Sequence, residues 1–361
     1  MYGYNRLYTE SKLSPFQYRV GAAASGKQDR LGAAEHGVNF WTQSFLQQKP
    51  SILSSIQKWS GEDAFFMANV GGSDGHVALG IADGVGGWQN QGVNPGLYSH
   101  GLCRYMADAV SRPTKETDLK PVNLLQIGYD RVKADKSIAA GGSTACVAAA
   151  LPNGELEVAN LGDSGFIILS PGKVSFQSEP QTLGFNTPYQ LSKLTPKMEA
   201  QRAIFGGSQQ ISELPSAADT SHHTLKHGDV VLFASDGVWD NLSATEILQV
   251  VFSVMEKKGH WSKPSESGSE GSRAIGEILR SSSQASAPEK DLAGQVAFAV
   301  MREAKVLSQN QKRDGPFAKE VHKFYPGEDF HGGKVDDIAV LACIAVQDTA
   351  GSLSSMPKAK L

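Results

Sequence analysis

Residues 77–88 have the sequence VALGIADGVGGW, in which six apolar or small residues lead directly into Asp83 and Gly84. Residues 64–70, AFFMANV, form a second short apolar run, and the glycine-rich segment GGSDG at 71–75 separates the two. Short apolar runs joined by a turn predict two neighbouring strands. The pattern therefore predicts that Asp83 lies at the end of a buried strand.

Carboxylates beside predicted strands recur along the chain. They are Glu62-Asp63 before residues 64–67, Asp163 after 158–161, Asp236 after 230–234, and Asp336-Asp337 before 338–341. An Asp-Gly pair after a single strand is also a common hairpin turn, so the inference depends on the recurrence. Carboxylates that converge raise one another's pKa values unless a cation lies among them. Oxygen ligands without histidine or cysteine favour Mg²⁺ or Mn²⁺.

The remaining pattern predicts an α+β fold. Helices are predicted at 95–111, 121–136, 244–257 and 291–308, and further strands at 16–20, 144–151, 155–161, 166–169, 174–176, 230–234 and 338–346. Ser243 and Glu246 have the spacing of a helix-capping box. Tight turns between strands imply antiparallel pairing. Helices grouped between sets of strands imply helical layers on the outer faces of packed sheets.

The composition excludes several classes of protein. The chain has 361 residues, of which 40% are hydrophobic and 20% charged, and its formal net charge is −3. This mild charge gives no support to a nucleic-acid partner, which normally needs a basic face. No apolar run approaches the ~18 residues of a membrane span. Cys103, Cys146 and Cys343 are too far apart for a zinc motif or a disulfide framework, which favours a reducing compartment.

Six ordered motifs resemble those of the metal-dependent protein phosphatases, the PPM or type-2C family. They are GEDA at 61–64, ADGVGGW at 82–88, GSTA at 142–145, NLGDSG at 160–165, ASDGVWDN at 234–241 and GKVDDI at 333–338. The ADGVGGW form, together with FNTPYQL at 185–191, is similar to the mitochondrial "homolog seven" branch. The resemblance implies a four-layer α-β-β-α sandwich, with two central antiparallel β-sheets flanked by helices.

The resemblance also implies one phosphatase domain over residues 16–347. Within it, residues 177–225 lack periodicity and are interpreted as a long loop or flap, and 262–290 as a mobile insertion rich in Ser, Gly and Glu. Residues 1–15 are interpreted as a disordered or targeting tail, and 348–361 as a disordered tail.

The family's metal ligands are carried over residue by residue. By resemblance, Asp83 bridges two metal ions, and Gly84 offers its carbonyl to one of them. Asp236 and Asp336 complete the coordination of the other ion. Of the pair Asp336-Asp337, the first acid is the expected ligand.

Three further acids have implied roles at the same centre. Glu62 and Asp63 would hold metal-bound waters. Asp163 with Asp236 resembles the pair that binds a looser third ion. The implied cofactors are thus two Mg²⁺ or Mn²⁺ ions, with a third as an open alternative.

The implied activity is hydrolysis of phosphoserine and phosphothreonine in phosphoprotein substrates. Two metal ions that share a water lower its pKa toward neutrality, so that it attacks phosphorus without a covalent enzyme intermediate.

Two positions depart from the family pattern. Val85 stands where many members have His as a candidate general acid, which leaves open a pseudophosphatase that only binds phosphoproteins. Lys58 is the nearest cation to the position of a phosphate-binding arginine in many relatives, or else a surface lysine.

The location has two candidate addresses. The branch resemblance implies mitochondria. The final residues Ala359-Lys360-Leu361 are close to the Ser-Lys-Leu peroxisomal signal, so peroxisomal or dual targeting is the alternative.

Overall fold

The computed structural model describes residues 15–29, 40–42, 59–70, 75–111, 119–205, 212–262 and 292–347. Two antiparallel sheets form the centre of this part of the chain. In sheet order, the first contains β2 (Phe40–Thr42), β1 (Phe16–Ser25), β15 (Ile338–Gln347), β14 (Val230–Ala234), β8 (Gly165–Ser170) and β9 (Lys173–Gln177). The second contains β13 (Asp219–Thr224), β7 (Glu155–Leu161), β6 (Ala145–Ala150), β4 (Val77–Asp83) and β3 (Asp63–Asn69).

The described residues also form α-helices. In chain order they are α1 (Gly96–Val110), α2 (Pro121–Ala134), α3 (Pro196–Phe205), α4 (Asp236–Trp239), α5 (Ala244–Lys257), α6 (Leu292–Ser308) and α7 (Pro316–Phe324). Two short strand pairs accompany them, β5 (Gly141–Ser143) with β12 (Leu191–Lys193), and β10 (Thr182–Gly184) with β11 (Thr187–Pro188).

Strand β15 shows how alternation builds the layers. Its odd-numbered residues, such as Leu341 and Cys343, join the apolar cluster between the two sheets, where they meet Leu79 and Ile81 of β4. Its even-numbered residues, such as Val340, join a second cluster with α5 and α6. Successive side chains of a strand point to opposite faces, so one strand serves both clusters.

A third apolar cluster completes the sandwich. Ala78 and Ala82 of β4 pack in it with Leu102 of α1 and Leu124 of α2. The order of layers is therefore α5 and α6, the first sheet, the second sheet, then α1 and α2. The predicted four-layer α-β-β-α fold is confirmed.

Most predicted elements are confirmed with shifts of one to three residues at their ends. The capping box is present, because Ser243 accepts from the Glu246 backbone N–H and the Glu246 side chain accepts from Ser243. None of the helices in the described ranges is long and apolar enough to cross a bilayer.

The prediction of a long loop over 177–225 is wrong for the residues that form β10, β11, β12, α3 and β13. The longest of these strands, β13, pairs with β7 at the edge of the second sheet. Its sequence, DTSHHT, is polar because this edge strand is largely exposed, so no apolar alternation marks it. The predicted insertion at 262–290 lies outside the described residues after Ser262, as do both predicted tails, apart from Pro15.

Helix α6 packs directly on β1 through two glycines. A Cβ atom built on Gly21 would lie 2.2 Å from the backbone nitrogen of Gly294 and 2.6 Å from the carbonyl carbon of Ala293. Both obstacles are backbone atoms, which cannot rotate away as a side chain can. The absence of a side chain at Gly21 therefore sets the distance between the helix and the sheet.

We predict that Gly21→Ala lowers the free energy of unfolding by ~1–3 kcal/mol, because the added methyl overpacks this contact. Urea denaturation followed by circular dichroism measures the change. Gly184→Ala is the matched control, since a Cβ there meets nothing within 4 Å. Equal stability of the two variants would contradict the packing argument.

Candidate metal centre

The acids marked by the sequence meet at one end of the sandwich. Asp63 begins β3 and Asp83 ends β4, and the two are direct cross-strand partners. Asp236 opens α4 immediately after β14, and Asp336 precedes β15, which pairs with β14 in the other sheet. Asp163 lies in the turn between β7 and β8. The fold thus brings carboxylates from both sheets to a shared edge.

The electrostatics of Asp83 show how close these groups are. Desolvation by the surrounding protein raises the pKa of Asp83 well above its ordinary value, and the negative charges of Asp63, Asp236, Asp336 and Asp163 raise it further. Such mutual destabilisation of the charged forms is relieved by a cation among the carboxylates. Because the donors are oxygens, the set fits Mg²⁺ or Mn²⁺.

Asp63 is the most deeply buried member of the cluster. Its carboxylate accepts a hydrogen bond from the Ser235 hydroxyl at 2.6 Å, and Ser235 Oγ in turn accepts from the Ala339 N–H at 3.1 Å. Burial raises the pKa of Asp63 and the Asp337 charge adds to it, while the Ser235 hydrogen bond opposes the rise. Ser235 therefore fixes an acid of one sheet to the backbone of the other.

Lys334 places a positive charge inside the cluster. Its Nζ lies 2.5 Å from Asp236 Oδ2, 2.6 Å from Asp240 Oδ2 and 3.3 Å from Asp336 Oδ2. It also donates to Asn186 Oδ1 at 3.2 Å. Desolvation lowers the pKa of Lys334, but the adjacent carboxylates outweigh it and raise the pKa well above the ordinary value.

The charge of Lys334 also reaches Asp163. Desolvation and then the charge of Asp236 raise the pKa of Asp163 to about 7, and Lys334 opposes that rise. One ammonium thus partly compensates several acids, while Asp83 keeps a strongly raised pKa.

The pair Asp336-Asp337 divides into two different environments. Asp337 accepts backbone N–H groups on both oxygens, from Lys27 at 2.5 Å and from Glu62 at 2.8 Å. Asp336 instead faces cations, with Lys27 Nζ at 3.4 Å and Lys334 Nζ at 3.3 Å. Asp337 consequently holds the backbone together, and Asp336 has its carboxylate directed to the cluster.

Gly84 and Glu62 lie against each other beside Asp83. The Gly84 N–H donates to the Glu62 carbonyl at 3.1 Å. A Cβ on Gly84 would lie 2.9 Å from that oxygen and from the Pro95 carbonyl, so only glycine fits. The Glu62 carboxylate accepts from Gln89, and Ser99 donates to the Glu62 carbonyl at 2.5 Å.

The acids do not form a preformed ligand cage. Within the described ranges, no three acidic, histidine or cysteine side chains are grouped closely enough to hold a metal ion. Lys58 lies outside the described residues. His331 pairs with Asp314 at 2.7 Å and Asp329 at 3.1 Å, and the structure does not bring it to the acids at the strand ends.

Sequence reasoning missed two charged residues of this centre. Asp240 follows Asp236 by four residues, the spacing that places side chains on one helical face, and this spacing was an available signal. Lys334 had no signal, because a lysine beside an acidic pair is most often a solvated surface residue.

A cleft of about 220 Å³ adjoins the acids. Asp163, Asp236 and Asp240 line one part of it, and Trp239 and Phe317 another. The Trp239 indole N–H donates to the Ala234 carbonyl at 2.9 Å, which holds its ring in the wall. The cleft gives a bound molecule access to the carboxylates.

Comparisons with known proteins identify the class of this chain. No family model matches it. It is 32% identical over 338 residues to "Protein phosphatase 2C homolog 7, mitochondrial" of Saccharomyces cerevisiae, which covers 92% of this chain and 83% of the relative. The chain belongs to the protein phosphatase 2C family, as the motifs had predicted.

Other relatives agree with this assignment. The chain is 34% identical over 365 residues to the "Protein phosphatase PTC7 homolog fig" of Drosophila ananassae, covering 95% of this chain and 96% of the relative. The X-ray structure of the photosystem II phosphatase PBCP matches with a TM-score of 0.58 at 23% identity, covering 91% of this chain and 98% of that one. That structural likeness supports the fold.

We predict that replacing Asp337 by Asn lowers the stability of the protein more than replacing Asp336 by Asn. Asp337→Asn places an amide NH₂ against a backbone N–H donor and should lower the free energy of unfolding by ~1–3 kcal/mol. Asp336→Asn loses ion pairs with Lys27 and Lys334 but also removes one of several mutually repelling charges, so it should change the free energy of unfolding in EDTA by less than Asp337→Asn does.

Urea denaturation in EDTA measures both effects, and a thermal shift with Mn²⁺ measures metal binding. Asp336→Asn should reduce the Mn²⁺-induced shift. If Asp336→Asn is the more destabilising variant in EDTA, the division of roles is wrong.

Proposed function

We propose that this chain is a metal-dependent protein serine/threonine phosphatase, which hydrolyses phosphoserine and phosphothreonine in phosphoprotein substrates. The observation that carries the proposal is the convergence of Asp83 and Asp236, from different sheets, on one acidic edge beside a cleft. Membership of the protein phosphatase 2C family supports the same reaction class.

The proposed cofactors are two Mg²⁺ or Mn²⁺ ions. Asp83, Asp236 and Asp336 are the proposed carboxylate ligands and Gly84 a carbonyl ligand, while Glu62 and Asp63 would bind the waters around the ions. When bound, such a pair supplies a water of lowered pKa and neutralises charge on the phosphoryl oxygens. Hard oxygen donors and the raised pKa values of the cluster support this choice of ion.

The chain's own residues position these groups. Asp83 is held through its backbone, since its N–H donates to Thr144 Oγ1 at 3.1 Å and its carbonyl accepts from the Thr144 N–H at 2.9 Å. Ser235 holds Asp63, and Asp337 holds the backbone of Glu62. Fixed acids cost little reorganisation when charge develops on the substrate.

Proton delivery to the leaving oxygen requires a group other than residue 85. The Val85 side chain has no transferable proton, and its N–H donates to the Gly142 carbonyl at 3.0 Å. Lys334 is a poor acid because the surrounding carboxylates raise its pKa. General acid catalysis contributes ~10²–10⁴-fold, so we expect slower turnover than in family members that carry the histidine.

We predict that purified protein releases phosphate from a phosphothreonine peptide with Mn²⁺ or Mg²⁺ and that EDTA abolishes release. Asp83→Asn and Asp236→Asn should each reduce the rate by at least ~100-fold, because each loses a carboxylate that would hold a metal ion at the site. A phosphate-release assay at saturating metal measures the rates.

Asp108→Asn is the matched control, because it removes the same charge from an exposed position on α1. It should retain full activity. The opposite result is folded protein that binds the phosphopeptide but releases no phosphate with either metal. That result would contradict the phosphatase proposal and favour a pseudophosphatase that only binds phosphoproteins.

We propose a mitochondrial location, which the similarity to the mitochondrial phosphatase of yeast supports. The alternative peroxisomal address at Ala359-Lys360-Leu361 lies outside the described residues and stays a prediction. A fluorescent protein fused to each terminus in turn tests both. We expect mitochondrial fluorescence when the N-terminus is free, and the absence of peroxisomal puncta with a free C-terminus would eliminate the second address.

A further inference from the structure

Asp236, one of the two acids expected to bind a third metal ion, is paired with a side-chain cation. That ion was predicted between Asp163 and Asp236, beside the pair that would bind the two main ions. The Lys334 ammonium lies 2.5 Å from Asp236 and 2.6 Å from Asp240, and its charge acts on Asp163 as well. The Lys334 ammonium and a divalent metal ion would repel each other strongly if both lay beside Asp236.

The oxygen atoms around Lys334 match the donors of an ammonium group. A lysine ammonium has three N–H donors. Asp236, Asp240 and Asn186 each accept one hydrogen bond, at 2.5, 2.6 and 3.2 Å, and Asp336 adds a longer ion pair at 3.3 Å. Lys334 therefore uses all three N–H donors and contacts Asp236, one of the two acids expected around the third ion, while it reaches the other, Asp163, through its charge.

Lys334 is also fixed from outside the acid cluster. Asn241 pairs with its backbone, accepting from the Lys334 N–H at 3.0 Å and donating to the Lys334 carbonyl at 2.8 Å. The ammonium lies 5.2 Å from the centroid of the Phe317 ring, within the range of a cation–π contact. Only 16% of the side chain is exposed.

We propose that Lys334 is a built-in cation that takes the place of a third divalent ion, so that this chain binds two metal ions and no more. The inference rests on the proposed two-metal function and specifies how the remaining acids are neutralised. Lys334 is thus a positioning residue, which holds Asp236 and Asp336 in place through their carboxylates.

The test counts metal ions in purified protein. Equilibrium dialysis against Mn²⁺, with free Mn²⁺ read by electron paramagnetic resonance, should give two ions per chain for the natural sequence. Lys334→Met keeps the length of the side chain without its charge and should bind three. Lys319→Met, an exposed residue of α7, is the matched control and should bind two.

A second variant protects the test against simple misfolding. Lys334→Met should lower the melting temperature in EDTA, because the acids lose their cation. Lys334→Met with Asp240→Asn removes one charge of each sign, so it should recover much of that loss of melting temperature. If the double variant loses as much melting temperature as Lys334→Met and Asp240→Asn lose together, Lys334 and Asp240 do not stabilise each other and the pairing is contradicted.

The outcomes separate this inference from the proposed function. Three Mn²⁺ ions in the natural chain, or two in folded Lys334→Met, overturn the role of Lys334 even if the enzyme is active. A count of two that rises to three in Lys334→Met supports the role even if no phosphopeptide is hydrolysed.

Discussion

Repulsion among carboxylates is the constraint on which this structure depends. At one edge of the sandwich, burial and then the charges of neighbouring acids, Asp236 and Asp336 among them, raise the pKa values of Asp63, Asp83 and Asp163. Clustered like charges do not stabilise the fold, because each disfavours the charged form of its neighbours. The rest of the fold supplies what the acids require, which is rigid backbone, hydrogen bonds from Ser235 and a compensating ammonium.

The two sheets make this concentration of charge possible. The central strands of each sheet are buried on both faces, between the other sheet and a helical layer, so they are largely apolar. The carboxylates of the site lie at or just beyond the ends of such strands. Because β14 and β15 are neighbours, and β3 and β4 are neighbours, their ends bring Asp236, Asp336, Asp63 and Asp83 together with little help from loops.

The same burial explains what could be predicted from the sequence. Apolar runs such as 77–82 and 338–346 identify the central strands, and an acid at the end of each identifies the site. Strand β13 was missed because an exposed edge strand has no apolar pattern. The role of Lys334 was missed because it depends on contacts with Asp240 and Asn186, which lie 94 and 148 residues away in the chain. Turns, caps and buried strands are local properties, whereas a charge network is not.

Strand β1 pairs with β15 over ten residues, and Asp337, just before β15, binds the backbone N–H of Lys27, just after β1. These contacts join segments about 310 residues apart, so closing them has a large entropic cost that is recovered only late in folding. During synthesis, β1 leaves the ribosome early, but it cannot pair with β15 until nearly the whole domain has been synthesised. The acidic edge is completed by that last strand, and an incomplete chain lacks Asp336 altogether. The acidic edge and the complete fold are therefore formed at the same step of synthesis.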